Sequence, residues 1–136
     1  MPFDFKWKEE YSMHVQEIDQ QHKKMIGMIS DLFDSINKKD TKEKLGGILD
    51  ELIKYAGYHF ATEEKYFVLF NYENTEEHIN EHHKFTAKVL DLQKKYLNHE
   101  IEISFELIDF LEDWLLYHLL ESDKKYIKCF TEHGLK

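Results

Sequence analysis

Histidine and glutamate side chains recur along this chain at a spacing that can hold a metal ion. His59 and Glu63 stand four residues apart, and so do His78 and His82. On an α-helix, residues four apart lie one turn from each other on the same face, so each pair can bind one ion or two neighbouring ions. Imidazole nitrogens and carboxylate oxygens are common metal ligands in proteins. The residues therefore suggest a metal site.

Three further residues with imidazole or carboxylate side chains fall at positions that should also face inward. His22 precedes both pairs, and His118 and Asp123 follow them. The last two are five residues apart, which is about 140° around an ideal helix. They can meet at one site only if Asp123 has a bridging role or if the helix is locally distorted.

Apolar residues recur every three or four positions around these seven side chains, which predicts amphipathic helices. One proline and five glycines in 136 residues leave few helix breaks. Short polar links between the segments make an all-α, up-down-up-down antiparallel four-helix bundle the simplest architecture. We expect a single domain over residues 1–136, with an N-terminal arm over 1–18 and helices over about 19–37, 41–69, 75–97 and 104–131.

The core positions of this predicted bundle hold too many polar groups for an ordinary core. Burying one imidazole or amide-like group without a partner costs on the order of 1 to 3 kcal/mol, and a bare carboxylate costs more. Six such groups would cancel the stability of a whole domain, which is roughly 5 to 15 kcal/mol. The six are His22, His59, Glu63, His78, His82 and His118. If the helices fold back on one another, these six residues and Asp123 all lie within about two helical turns of the same level along the bundle axis. A common counterpart must satisfy them together.

The overall composition excludes several classes of protein. The 18 basic and 27 acidic side chains give a net charge of −9, which argues against a nucleic acid or an anionic membrane as a partner. The single cysteine, Cys129, excludes an intrachain disulfide framework and suits a reducing compartment. No segment is apolar enough for a signal peptide or a membrane span. We expect a cytoplasmic protein without an anchor, and the residues do not identify a protein client.

Five imidazoles and two carboxylates are too many ligands for one zinc ion, which takes four. None is a thiolate, so copper(I) and iron–sulfur clusters fit poorly, whereas imidazole with carboxylate suits iron. Two ferrous ions could share both carboxylates and one hydroxide as bridges, with three histidines on one ion and two on the other. The first ion would then have six ligands and the second five. One position would stay open, on one iron only, for a small molecule.

Four short stretches, one on each predicted helix, resemble the signatures of the hemerythrin family, and of its single-domain bacterial members in particular. The resemblance covers nearly the whole chain, and four ordered signatures are far more specific than one HxxxE or HxxxH motif. The signatures are Ile18-Asp19-Gln20-Gln21-His22, His59-Phe60-x-x-Glu63-Glu64, His78-x-x-Glu81-His82-x-x-Phe85 and Trp114-Leu115-x-x-His118-x-x-x-x-Asp123-Lys124-x-Tyr126.

The resemblance implies a non-heme diiron centre, bridged by a hydroxide or oxo group, that binds dioxygen reversibly. Its bridging carboxylates would be those of Glu63 and Asp123. The iron with a full shell would be held by His78, His82 and His118. The iron with the open position would be held by His22 and His59. The residues that match the lining of the family's dioxygen pocket are Trp114, Leu115 and Leu119.

Several residues near these positions carry expectations of their own. His14 departs from the bacterial members, which usually have glycine there, and this leaves the path of the arm less certain. Asp19 is expected to cap the first helix, and Glu64 and Glu81 to face solvent. Tyr126 should either pack in the core or hydrogen-bond a bridging carboxylate.

The predicted function is therefore reversible dioxygen binding, as a carrier, store or supplier, and not catalysis. The first alternative is a diiron enzyme that handles peroxide or nitric oxide. None of the seven predicted ligands lies in a Glu-x-x-His pair of the kind that ferritin-like diiron enzymes use, which counts against oxidase chemistry. The second alternative is an oxygen or redox sensor, which would need a separate signalling partner.

Overall fold

The computed structural model describes residues 6–98 and 105–136, with the backbone alone at positions 105, 106, 115, 116, 119 and 120. Within these residues the regular structure is entirely helical. The three long helices are α1 (Gln16–Asn37), α2 (Lys42–Leu69) and α3 (Thr75–Leu97). The last helical stretch consists of α4 (Phe105–Trp114), a π-helix (Leu115–Ser122), a 3-10 turn (Asp123–Tyr126) and α5 (Ile127–Glu132).

Consecutive helices pack against each other, and the chain reverses direction at the short links between α1 and α2 and between α2 and α3. α1 contacts α2, α2 contacts α3, and α3 contacts α4. The start of α2 meets the end of α3, where the Tyr96 hydroxyl donates to the Lys42 carbonyl at 3.2 Å. The predicted all-α bundle is confirmed. Among the described residues, no helix combines the length and the apolar character needed to cross a bilayer.

Two apolar clusters fill the interior and leave a polar layer between them. The larger cluster includes Met25, Leu52 and Leu111, and the smaller one includes Phe67 and Tyr126, all with no exposed surface. Along the inner face of each helix, the sequence passes from one cluster to the other through histidine, glutamate or aspartate. Burial of the apolar side chains on both sides therefore fixes the depth of the polar layer.

The arm ahead of α1 is tied to the bundle through Asp19. α1 begins at Gln16, three residues before the predicted start, and is preceded by Val15 in an extended conformation. The Asp19 carboxylate accepts hydrogen bonds from the Ser12 hydroxyl at 2.6 Å and from the Met13 backbone amide at 2.7 Å. The prediction that Asp19 caps the helix is wrong, because its carboxylate satisfies donors of the arm.

His14 adopts a left-handed backbone conformation, with φ at 59°. This conformation costs an L-residue roughly 1 to 2 kcal/mol and costs glycine almost nothing. We expect His14→Gly to raise the free energy of unfolding by about 1 kcal/mol and the melting temperature by about 3 °C. Thermal denaturation followed by circular dichroism measures the change.

The matched control for this variant is Gln16→Gly, at the exposed first residue of α1. Glycine there only adds conformational freedom to the unfolded chain, so the melting temperature should fall. If both variants lowered the melting temperature equally, the left-handed conformation of His14 would store no significant strain.

Candidate metal centre

All seven residues predicted as ligands lie in the polar layer between the two apolar clusters. None has more than 4% of its surface exposed. α1 and α2 supply the first three and α3 the next two, while the π-helix and the 3-10 turn supply the last two. The seven residues are His22, His59, Glu63, His78, His82, His118 and Asp123.

His118 and Asp123 converge because the helix that carries them is a π-helix at this point. The backbone amide of Asp123 donates to the carbonyl of His118, five residues earlier. A π-helix closes each turn between residues five apart, so it stacks these two side chains along its axis, whereas an α-helix would separate them. Local helix distortion, one of the two routes that the spacing left open, is therefore present.

The seven side chains form two groups that share one carboxylate. In each group, one ligand atom from every residue lies within 4.8 Å of the others. The members of the three-histidine group are Glu63, His78, His82 and His118. The members of the two-histidine group are His22, His59, Glu63 and Asp123.

The two carboxylates lie between the groups. Glu63 Oε1 is 3.0 Å from Nε2 of His82 in one group and 3.3 Å from Nε2 of His59 in the other. Asp123 Oδ1 is 2.7 Å from Nε2 of His78, and Asp123 Oδ2 is 3.0 Å from Nε2 of His22. Each carboxylate therefore presents oxygen atoms to imidazoles of both groups, which is the placement that a bridging ligand requires.

Several of the converging atoms are buried and form no well-aligned hydrogen bond, although they lie 3.0 to 3.3 Å from one another. They comprise Nε2 of His22, His59, His82 and His118, together with Oε1 of Glu63 and Oδ2 of Asp123. Buried polar atoms are nearly always satisfied in proteins, so a shared partner is expected at their common centre. Imidazole nitrogens and carboxylate oxygens, with no thiolate among them, fit iron ions in this role.

Strong electrostatic coupling holds the carboxylates ionised in the metal-free chain. Burial opposes the ionisation of Asp123, but the surrounding imidazoles, His118 above all, hold the pKa of Asp123 well below its usual value. Burial also opposes the charge on His118, yet Asp123 and Glu81 outweigh it and raise the pKa of His118 to about 10. A cation that binds His118 Nε2 must displace this proton.

Iron loading should therefore release protons and strengthen as pH rises. The charged form of His118 stabilises the metal-free chain fully below about pH 6.5, the unperturbed pKa of histidine. This stabilisation is lost only as pH rises through the folded pKa of about 10. At about pH 7, we expect ferrous iron to release at least one proton per chain, measured with an indicator in weak buffer.

A His133→Gln variant is the control for this titration, because the exposed His133 lies away from the polar layer. It should release as many protons as the unaltered chain. Iron uptake without proton release, or with an affinity that is independent of pH, would contradict the charged state assigned to His118.

Three side chains that the sequence did not predict as functional lie close to the outer (Nδ1) nitrogens of the histidines. Gln21 Oε1 lies 2.7 Å from Nδ1 of His59, and Glu64 Oε2 lies 2.9 Å from Nδ1 of His82. Glu81 Oε2 lies 3.2 Å from Nδ1 of His118. Partners at this nitrogen orient a ligating imidazole and leave Nε2 free for a metal.

The expectation that Glu64 and Glu81 face solvent is wrong. Their side chains are only 31% and 30% exposed, because the carboxylates turn inward to the histidines. On a helical projection, each glutamate lies about 100° around the helix from the neighbouring candidate ligand, which suggests that it faces away from the site. The projection does not show that a long, flexible glutamate side chain can turn back towards the histidines. The available signal was their place beside a ligand position in two of the four signatures.

Aromatic side chains surround the polar layer and shield it from water. The Tyr126 hydroxyl donates to Glu63 Oε2 at 2.6 Å, and the ring packs in the smaller apolar cluster, so Tyr126 fills both of its predicted roles. Phe60 stacks on His82 and Trp114 on His118, with ring centres 3.9 and 4.7 Å apart. The other predicted pocket side chains, those of Leu115 and Leu119, lie outside the described part of the structure.

Comparisons with known proteins agree with this geometry. Residues 13–130 match the family described as "Hemerythrin HHE cation binding domain". The bacteriohemerythrin of Clostridium acetobutylicum is 30% identical, and the match covers 90% of this chain and 98% of that protein. The bacteriohemerythrin of Methylococcus capsulatus is 34% identical, with 90% and 92% covered.

A solved structure is also close to this fold. The crystal structure of a wild-type hemerythrin superposes with a TM-score of 0.85 at 33% identity, over 90% of this chain and 95% of that one. The family match spans most of the chain and includes all seven residues of the polar layer. On sequence and fold together, the chain belongs to the hemerythrin family.

Proposed function

We propose that the seven side chains hold two iron ions and that the chain binds dioxygen reversibly there, as a carrier, store or local supplier. The observation that carries this proposal is the pair of overlapping donor groups, with Glu63 in both and Asp123 within 3.0 Å of imidazoles from both. One ion would need only one such group. Two groups that share Glu63, with Asp123 in contact with imidazoles of both, support a bridged pair.

The division of the histidines leaves the two ions with different numbers of ligands. With both carboxylates and one hydroxide or oxo group as bridges, the ion of the three-histidine group has six ligands. The ion of the two-histidine group would have five, which would leave one position open for dioxygen on the side of His22 and His59. The two irons together would supply the electrons for reversible dioxygen binding.

The surrounding residues favour binding over turnover. The polar layer lies between two apolar clusters, and Phe60 and Trp114 cover imidazoles of the three-histidine group. An apolar, closed surrounding disfavours water entry and charge separation, which would release reduced oxygen species. We propose that Trp114, Leu115 and Leu119 line the dioxygen pocket, in line with their match to the family pattern.

The proposed setting is the cytoplasm, without a nucleic-acid or membrane partner. The free thiol of Cys129 supports a reducing compartment, and the net charge of −9 disfavours anionic partners.

Spectroscopy of the iron-loaded chain tests the function. We expect two irons per chain after anaerobic loading with ferrous iron, and an absorption band that appears with dioxygen and disappears when dioxygen is removed. Failure of the band to reverse would overturn the proposal. Steady consumption of a reductant with dioxygen, faster than autoxidation, would indicate an enzyme instead.

A further inference from the structure

The partners at the outer histidine nitrogens differ in charge between the two groups. In the three-histidine group, His82 and His118 each have a glutamate at Nδ1, namely Glu64 at 2.9 Å and Glu81 at 3.2 Å. In the two-histidine group, the partner of His59 is the neutral amide of Gln21 at 2.7 Å. The carboxylates are therefore found on one side of the centre and the amide on the other.

The orientation of the Gln21 amide is fixed by a chain of hydrogen bonds. The Thr62 hydroxyl donates to the Tyr58 carbonyl at 3.1 Å, so it accepts from Gln21 Nε2 at 3.2 Å. Gln21 Oε1 therefore faces His59, whose Nδ1 must carry the hydrogen. Gln21 is 95% buried, so this contact lies in the interior of the bundle.

A carboxylate and an amide act differently on a metal-bound imidazole. A carboxylate at Nδ1 draws the ring proton towards itself, makes the imidazole a stronger electron donor and adds a full negative charge nearby. Both effects favour the more highly charged state of the ion. An amide oxygen orients the ring equally well but adds only a dipole, so it favours the ferric state much less.

We propose that Gln21 keeps the iron of the two-histidine group ferrous by withholding negative charge from His59, while Glu64 and Glu81 favour the ferric state of the other iron. This inference rests on the proposed two-iron centre. Stepwise oxidation by a one-electron oxidant such as ferricyanide, which becomes ferrocyanide, then removes the first electron from the three-histidine side. The iron beside the open position gives up the second electron. Gln21 is thus a positioning residue: it orients His59, and it also sets the reduction potential of the iron that His59 would hold.

The test is Gln21→Glu, which has nearly the same shape as the native side chain. The Thr62 hydroxyl can rotate to donate to the new carboxylate, so the contact with His59 persists. In redox titrations of the iron-loaded protein, we expect the second one-electron step to move by about 59 mV or more to lower potential. This corresponds to a tenfold change in the ferric-to-ferrous ratio.

Gln20→Glu is the matched control, since it adds the same charge at the adjacent, exposed position. It should leave both potentials unchanged. A second variant, Glu81→Gln, should raise the potential of the first step, because it removes the carboxylate from His118. This variant keeps the inference testable if Gln21→Glu binds iron poorly.

Unchanged potentials in Gln21→Glu or in Glu81→Gln, with two irons per chain and intact helical content, would overturn the inference. The iron count is measured separately, so fewer than two irons in the unaltered chain would refute the two-iron centre itself. If the unaltered chain held two irons but did not bind dioxygen reversibly, the proposed function would be refuted, and the measured potentials would still test this inference.

Discussion

Replacing Glu63 with glutamine is expected to reduce the iron bound by each chain from two ions to one or none. Glu63 is the only residue that belongs to both donor groups among the described residues. Glutamine keeps the carbonyl oxygen that can accept from Tyr126, but its amide NH2 cannot ligate a cation and carries no negative charge. We expect the affinity for ferrous iron to fall by roughly 100-fold or more, because loss of an orienting partner alone typically costs 10- to 100-fold. Metal analysis and competition with a chelator measure this change.

The matched control is Glu51→Gln, which removes the same charge from an exposed position on α2. It should bind as much iron as the unaltered chain. Far-ultraviolet circular dichroism of both variants checks that the helices form. Two tightly bound irons in a folded Glu63→Gln variant would contradict the bridging role.

Removal of the metal is expected to lower the melting temperature by about 12 °C. The metal-free polar layer contains buried nitrogen and oxygen atoms without well-aligned hydrogen bonds, and a bound cation would satisfy them together. A ligand present at about 1,000 times its dissociation constant stabilises the native state by about 4 kcal/mol. For a chain of this size, each kcal/mol corresponds to roughly 3 °C. Thermal denaturation of the iron-loaded and chelator-treated protein gives the difference.

The Glu63→Gln variant provides the control for the thermal experiment. Because it lacks most of the bound iron, the chelator should change its melting temperature little. Equal melting temperatures of the unaltered chain with and without iron would show that the polar layer is satisfied without metal, and the account of the site would then fail.

The sequence predicted the elements of this site well where the relevant physics is local. Residues four apart on a helix share a face whatever the helix packs against, so His59 with Glu63 and His78 with His82 could be paired from spacing alone. The apolar periodicity predicted the bundle in the same way. The structure brings all seven residues into one layer, and their role as iron ligands stays a prediction until the metal analysis.

The spacing of residues in the sequence did not predict their positions where the backbone departs from an ideal α-helix. His118 and Asp123 diverge on an α-helix, and only the π-helix over Leu115–Ser122 stacks them. Asp19 looked like a helix cap because aspartate is common there, but its carboxylate holds the arm instead.

By itself, the sequence determined the helical bundle through its apolar periods, and it determined the inward imidazole and carboxylate pairs through their spacing, since both depend on the geometry of each helix alone. The four signatures added the resemblance to the family and the inclusion of Asp123. Only the tertiary structure decided which donors form a group and which side chains hold the outer nitrogens of His59, His82 and His118. Those contacts join residues from different turns and different helices. They depend on how the helices pack and on which rotamers Gln21, Glu64 and Glu81 adopt in the packed interior.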